Sequence, residues 1–233
     1  NWCTRCLTAL SDLEVVHTEQ AGKLYHIRYV TQGEGVVTVA TTRPETMLGD
    51  TAVAVHPDDD RYRGLVGQTV RLPIVGRELP VIGDTFVDQA FGTGAVKVTP
   101  AHDPNDFEMA QRSGVPLLDV MTPDARMNEN APEAFQGLDR FEARNRVLEA
   151  FEELGLGGGN DPYTHSIPHC YRCHTVVEPR LSEQWFVSMK PLAEPALQAS
   201  RDGTIAFTPV HWKKVYENWM ENIRDWCISR QLW

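Results

Sequence analysis

Four of the five cysteines fall into two Cys-x-x-Cys pairs, Cys3/Cys6 and Cys170/Cys173, with Cys227 left over. Two thiolates three residues apart on a tight turn can share one tetrahedral ion, and a second such turn completes a shell of four. An odd count with this knuckle spacing fits a metal in a reducing compartment better than a disulfide framework. In a zinc ribbon the knuckles lie ~15 to 20 residues apart, whereas 163 residues separate Cys6 from Cys170 here. One ion held by Cys3, Cys6, Cys170 and Cys173 would close residues 7–169 into an excursion clamped at its base. The expected cofactor is therefore a structural zinc. Two unrelated reduced pairs are the plain alternative, and His169 or His174 could replace one sulfur.

Two polar loops carry the other candidates. The first runs Thr41-Thr42-Arg43-Pro44-Glu45-Thr46-Met47-Leu48-Gly49-Asp50, and the second runs from Lys97-Val98-Thr99 through Pro100-Ala101-His102-Asp103 to Asp106. Each is a strand end feeding a loop rich in hydroxyls and charges, where binding groups usually sit on a rigid scaffold. Lys97 and Thr99, two apart on a strand, share a face; with Asp103 they offer a donor, a donor-acceptor and an acceptor within seven residues. Each residue taken alone has an ordinary role open to it. Thr41 and Thr42 could be strand threonines, Glu45 and Asp50 solvated loop acids, and Lys97 a side chain pointing to water. Asp103 and Asp106 could serve only as cap and dipole partner of a helix. Their joint occurrence is what suggests a site.

The elements that must position these residues follow from period and punctuation. Leu24–Val30 alternates and Val36–Thr41 is β-branched, which predicts two strands joined by the loop Thr31-Gln32-Gly33-Glu34-Gly35. Short strands are expected at Ala52–Val55, Thr69–Ile74, Leu79–Ile82 and Gly94–Thr99, with Pro73 and Pro80 placing the second and third of these at sheet edges. Asp103-Pro104-Asn105-Asp106 has the form of a helix start, with an end near Arg112 before Gly114. Further helices are expected at Asp139–Leu154, Met189–Ser200 and Trp212–Ile228, and Gly155–Asn160 reads as a flexible break. Many short strands with few helices between residues 20 and 165 give an α+β fold, β-rich and barrel-like, with flanking helices. The expected division is 1–20 for the first knuckle and stalk, 21–165 for the core, and 166–233 for the second knuckle and a helical return.

Composition removes several function classes. The chain has 233 residues, 42% hydrophobic and 23% charged, enough for a sizeable core. A net charge of −10 argues against a free-standing polyanion binder. No run approaches the ~18 to 20 apolar residues of a membrane span and no secretory leader opens the chain, so no membrane partner and a cytoplasmic location are expected. The absence of an initiator Met leads us to expect a piece of a longer polypeptide. G-x-G-x-x-G after a strand, G-x-x-x-x-G-K-[ST], H-E-x-x-H and G-x-S-x-G are all absent, which leaves the chemistries tied to them without support.

In its two polar loops the sequence resembles the editing domain inserted into class I aminoacyl-tRNA synthetases for valine, isoleucine and leucine. The likeness extends to Cys3-Thr4-Arg5-Cys6, Cys170-Tyr171-Arg172-Cys173, Ser182-Glu183-Gln184-Trp185-Phe186 and Ile228-Ser229-Arg230-Gln231-Leu232-Trp233, and so covers nearly the whole chain. Lys97-Val98-Thr99 together with Arg43 is most similar to the valine-specific branch; leucyl and isoleucyl specificity, or an inert docking module, are the alternatives. The His-x-Gly-His and Lys-Met-Ser-Lys-Ser signatures of the aminoacylating core are absent, so this piece should not itself activate amino acids.

The resemblance implies hydrolysis of the ester in threonyl-tRNA(Val). A hydrophobic pocket rejects threonine against valine only ~10²-fold, the established figure for this pair, so a second, polar pocket has to accept threonine. The family pattern makes Asp106, Lys97, Thr42 and Arg43 the catalytic set, with Asp106 holding the α-ammonium. It makes Thr41, Thr46, Thr99, His102, Asp103 and Asp50 substrate-binding. No nucleophile–base pair stands out, so a positioned water is the expected attacking group. The implied partners are the mischarged 3′ end of the tRNA and the remaining domains of the parent synthetase, which would supply the phosphate contacts that an acidic fragment lacks.

Overall fold

The computed structural model describes residues 1–33 and 35–232. Glu34 of the expected hairpin loop and Trp233 of the last quoted motif lie outside the described residues.

The predicted strand at Leu24–Val30 is the inner part of a much longer one. Strand β3 spans Val15–Thr31 and pairs antiparallel with β4, Val36–Thr41, in the register Tyr25↔Thr41 to Val30↔Val36. Its outer half pairs with β9, Gly157–Cys170, from Val15↔Cys170 inward to Ile27↔Gly157, with a register shift between Tyr25 and Ile27. The expected flexible break at Gly155–Asn160 is therefore largely strand. Local propensity disfavours Gly-Gly-Gly-Asn-Asp-Pro in a sheet, but β3 supplies a template with unpaired backbone that overrides it. Both strands run past residues 20 and 165, so the core and the cysteine-bearing base share them.

Strands β5 (Ala52–Val55), β6 (Thr69–Arg71), β7 (Glu78–Gly83) and β8 (Ala95–Val98) complete a seven-stranded sheet of path order β4-β3-β6-β7-β5-β8, with β9 on β3. The two expected edge strands are thus interior. Pro73 lies just beyond β6, and Pro80 sits where the parallel pairing of β7 with β5 is only beginning, at Val53↔Val81, so neither proline removes a needed ladder bond. The sheet curls into a half barrel, with β4 and β8 in contact but not paired. Inside it, Ile27, Tyr29, Val37, Val39, Val53, Val55 and Leu79 form the main core, closed by Val147 and Phe151 of helix α2, Arg140–Glu153.

Alternation along β5 places two different surfaces. Val53 and Val55 face the main core, while Ala52 and Ala54 face a second cluster with Val98 of β8 and Met109 of α1, Pro104–Ser113. Small residues on that face let the helix lie close to the sheet. Helix α1 begins as expected, with Asp103 as N-cap accepting from the amides of Asn105 and Asp106, and ends at Gly114 in the left-handed region at φ 72°.

Short strands β1 (Trp2–Cys3) and β2 (Thr8–Ala9) frame the first knuckle. After the second knuckle come β10 (Phe186–Val187), α3 (Lys190–Arg201), α4 (Trp212–Glu221) and β11 (Trp226–Cys227), with β10 and β11 paired. Helix α4 is shorter than the expected Trp212–Ile228: the chain leaves the helix at Asn222 and its next residues are taken up by β10. No helix is long and apolar enough to cross a membrane among the described residues.

Candidate functional site

Strand β8 and the residue after it deliver Lys97 and Thr99 to one place, and the turn that follows delivers the start of α1. The Lys97 ammonium donates to Thr99 Oγ1 at 2.5 Å, and that hydroxyl donates to Asp50 Oδ1 at 2.5 Å. Tyr29 from β3 donates to the other oxygen of Asp50 at 2.5 Å, and Lys97 Nζ lies 3.7 Å from Asp50 Oδ1. All four side chains are buried. Thr99 thus spends its single proton on Asp50 and its acceptor on Lys97. The ammonium has three donors; one is used on Thr99, and Asp50 is the carboxylate that faces it.

Asp106 completes the cluster from the first turn of α1. Its Oδ2 accepts the amide of Thr99 at 2.8 Å, while Oδ1 has no protein partner among the described residues and is not sealed from solvent. Asp103 is bonded through Oδ1 to the amides of its own helix start, which leaves Oδ2. Burial pushes the Asp106 carboxyl up to about 7, with Lys97 pulling the other way and Asp103 and Asp50 adding to the rise. Burial likewise raises Asp50 to about 6 against the pull of Lys97 and the hydrogen bonds from Thr99 and Tyr29. The site is a buried ammonium set among carboxyls, two of which, Asp106 and Asp103, keep an oxygen without a protein partner among the described residues.

The first loop is fixed differently. Pro44–Gly49 forms a 3₁₀ turn, and a Cβ at Gly49 would stand 3.0 Å from the carbonyl oxygen of Leu118, so the close approach of the loop to that segment requires glycine. Thr41 Oγ1 accepts the Arg43 amide at 3.0 Å and Thr46 Oγ1 donates to the Arg43 carbonyl at 3.0 Å. Thr42 is half-buried and makes no side-chain hydrogen bond among the described residues. The Arg43 guanidinium is fully engaged: Nε to Glu45 at 3.3 Å, Nη1 to the His102 carbonyl at 3.0 Å, and Nη2 to Glu178. Burial opposes its charge, but the Glu178 and Glu45 carboxylates hold its pKa above the ordinary arginine value. His102 accepts the Val120 amide on Nε2 at 3.1 Å, and burial with the charges of Arg43 and Lys97 lowers it to about 3, which makes it a neutral ring with its acceptor nitrogen occupied.

Lys97, Thr99, Asp50 and Asp106 are thus brought into one bonded cluster, with Asp103 at its edge on the same helix start. Thr41, Thr46 and Arg43 bond to one another in the first loop, tied to the second through the His102 carbonyl. Sequence reasoning missed Tyr29, Glu178, Arg140 and Arg144, and offered Glu45 only as a solvated acid. In fact Glu45 is 0% exposed, and Arg144 reaches it from α2 at 2.8 and 2.9 Å. Nothing in the local sequence marks these residues, because their partners lie up to 135 residues away.

At the base, the sulfurs of Cys3, Cys6, Cys170 and Cys173 lie within 4.8 Å of one another, and Cys3 Sγ is 3.4 Å from Cys173 Sγ. A tetrahedron with ~2.3 Å zinc–sulfur bonds has an edge of roughly 3.8 Å, so the donor set and its spacing suit one zinc with no position left for water. His169 instead bonds Thr18 and the Ile167 carbonyl through Nδ1 and is not part of the cluster.

Comparison with known proteins adds identity to this geometry. The chain is 60% identical over 234 residues to the valine–tRNA ligase of Carboxydothermus hydrogenoformans and 58% identical to that of Thermotoga maritima, covering 100% of this chain but only 26% and 27% of those proteins. It therefore spans about a quarter of the length of the curated relatives it matches. A solved ternary complex of LeuRS, tRNA and LeuAMS from Agrobacterium radiobacter K84 overlaps 71% of this chain and 24% of that one at 18% identity with a TM-score of 0.45, too loose a fit to carry residue correspondences. The description of tRNA synthetases class I (I, L, M and V) matches residues 1–233, from the first residue to the last, and the chain belongs to that family.

Proposed function

We propose that the chain is the editing segment of a valine–tRNA ligase and hydrolyses the ester of threonine wrongly attached to tRNA(Val). The observation that carries this reading is the buried cluster of Lys97, Thr99 and Asp50 beside the open oxygen of Asp106. In it, Asp106 Oδ1 accepts the substrate's α-ammonium, and the spare donors of Lys97 with Asp103 Oδ2 meet the threonine hydroxyl. Thr99 and Asp50 hold Lys97 from behind. Valine presents a methyl there and leaves these groups without partners, at ~1 to 3 kcal/mol each. Thr41, Thr42 and Thr46 lie along the terminal nucleoside, with the free hydroxyl of Thr42 placed to orient water. Arg43 and His102 fix the relative position of the two loops.

No side chain acts as a nucleophile. Water held in place attacks the ester carbonyl, and the ammonium of Lys97 stabilises the charge that develops. The acyl C–O bond to the ribose then breaks, and the ribose oxygen leaves as a hydroxyl with a proton from the attacking water, which frees threonine and the uncharged 3′ end. The other domains of the ligase, working in the cytoplasm, hold the body of the tRNA and deliver its single-stranded 3′ end. Cys3, Cys6, Cys170 and Cys173 would hold a zinc ion that closes the base and does no chemistry. Metal analysis of protein purified without chelator should find one equivalent, lost on replacing Cys173 and Cys170 with Ser.

The test is deacylation by the full-length protein of tRNA(Val) carrying threonine, valine or isoleucine. Rapid hydrolysis of the threonyl ester alone is expected. Hydrolysis of none, by protein that charges tRNA normally, would reduce the segment to a docking module.

A further inference from the structure

Five charged side chains alternate in sign across the interior: Arg140, Glu178, Arg43, Glu45 and Arg144. Arg140 and Arg144 stand one turn apart on α2, Arg43 and Glu45 belong to the first loop, and Glu178 lies beyond the second knuckle. Glu178 gives one oxygen to Arg140 and the other to Arg43. Its backbone is fixed as well, exchanging hydrogen bonds of 2.9 Å in both directions with Trp2, the neighbour of Cys3. Arg140 secures the adjoining chain by donating to the Val176 carbonyl at 2.9 Å. Glu178 is therefore a fixed acceptor on the base, held by backbone and side chain alike.

Its other side-chain partner is Arg43. With Nη2 anchored on Glu178 and Nε on Glu45, the remaining arm, Nη1, holds the carbonyl of His102 at 3.0 Å. His102 stands between Thr99 and Asp103, so that arm sets how the turn carrying Thr99, Asp103 and Asp106 meets the loop carrying Thr41, Thr42 and Thr46. We propose that Glu178 is a positioning residue for the hydrolytic site, acting through Arg43 by fixing the guanidinium that joins its two loops. This rests on the reading of the site given above. Glu178 touches no substrate. Losing it leaves Glu45 as the only side chain that anchors the guanidinium, so the direction of the arm on the His102 carbonyl is no longer fixed from both sides.

The test uses the full-length ligase and threonyl-tRNA(Val). Glu178→Gln should lower the deacylation kcat about 10- to 100-fold and leave KM for the tRNA within about twofold, while valine attachment is unchanged. Arg43→Gln should do the same, and the double variant should be no slower than Arg43→Gln, because both changes break one connection. Arg140→Gln removes the other partner of the same carboxylate. It should lower the melting temperature at least as much as Glu178→Gln while holding deacylation within about threefold of wild type. Should Glu178→Gln not accumulate, Glu178→Asp, which keeps the charge and shortens the reach, carries the same expectation for kcat. A wild-type kcat in the Glu178 variants, multiplicative losses in the double variant, or losses that track melting temperature across all variants would overturn the proposal. Absence of threonyl-tRNA hydrolysis by the unmodified enzyme would instead overturn the functional reading beneath it.

Discussion

The interior of the half barrel and the surface formed by residues 185–232 treat their awkward groups in opposite ways. Around Lys97 and Arg43, charged groups are buried and held by partners, many drawn from distant segments; among the described residues only Thr51 Oγ1 and His165 Nδ1 are sealed without one. From Trp185 through α3, α4 and β11 it is apolar groups that stand unaccompanied. Trp185 is 78% exposed, Trp212, Trp219 and Trp226 are each more than half exposed, and α4 buries no residue at all. A cavity of about 600 Å³ lies between Leu10–Leu13 and Trp219–Cys227. A buried charge tolerates no missing partner, whereas an exposed ring loses little by its absence. Substitutions should therefore be severe in the first region and nearly silent in the second.

The largest effect should come from breaking the ladder at Glu45. Glu45→Gln leaves Arg43 and Arg144 facing a neutral group inside the protein, and the loss of a buried ion-pair partner costs about 3 to 5 kcal/mol. Denaturant unfolding measures it; a cost below 1 kcal/mol would show that the ladder is far more solvated than its burial implies.

Next in size is Asp106→Asn, which keeps an acceptor for the Thr99 amide but removes the charge. Threonyl ester hydrolysis should fall about 10²-fold or more, the scale of truncating one member of a buried charge pair. In the unmodified protein kcat/KM should climb with pH through about 7, where the carboxyl ionises, and the Asn variant should lack that step. The stability sign is opposite to that of an ordinary salt-bridged acid. The folded carboxyl holds its proton more tightly than an unfolded aspartate of pKa ~3.9. Its contribution is thus complete below about pH 4 and lost as pH rises to 7. Melting curves should show the Asn variant gaining on wild type across that interval and running parallel above it.

A smaller change is expected in selectivity. Lys97→Met with Thr99→Val replaces the donors by apolar groups, which should narrow the preference for threonyl over valyl ester by about 10-fold or more. An unchanged ratio, with threonine hydrolysis intact, would move discrimination to pocket size alone. The smallest effect belongs to the exposed face: Trp219→Ala should alter the stability of this chain by no more than about 0.5 kcal/mol, and a loss several times larger would mean that the ring is covered after all.

How far the sequence announces each region depends on whether the information is local. The start of α1 was legible residue by residue, because Asp103, Pro104 and Asp106 fill cap, first-turn and dipole positions that depend only on neighbours in the chain. Ala52–Val55 was legible in its bounds, although not in its two-faced burial. Strand β9 was not, since its extended form is imposed by β3 against a glycine- and proline-rich sequence. Glu45 and Glu178 look like surface acids until arginines from α2 and the first loop surround them. The family motifs named Lys97, Thr99, Asp103 and Asp106 as a group, and the coordinates add what spacing alone could not: the hydroxyl of Thr99 is directed inward to Asp50, not outward.

The β3–β9 ribbon has a mechanical consequence. The open end of this two-stranded ribbon, at Val15↔Cys170, is where both strands join the base. Tension applied between the two flanking segments would therefore open the ribbon like a zipper, loading its hydrogen bonds one pair at a time and not all in parallel. The four cysteine sulfurs stand at that mouth. A metal crosslink among them would carry the force before the first pair is reached, and the toughness of the whole excursion under load would then be set by four sulfur atoms and not by the length of the strands.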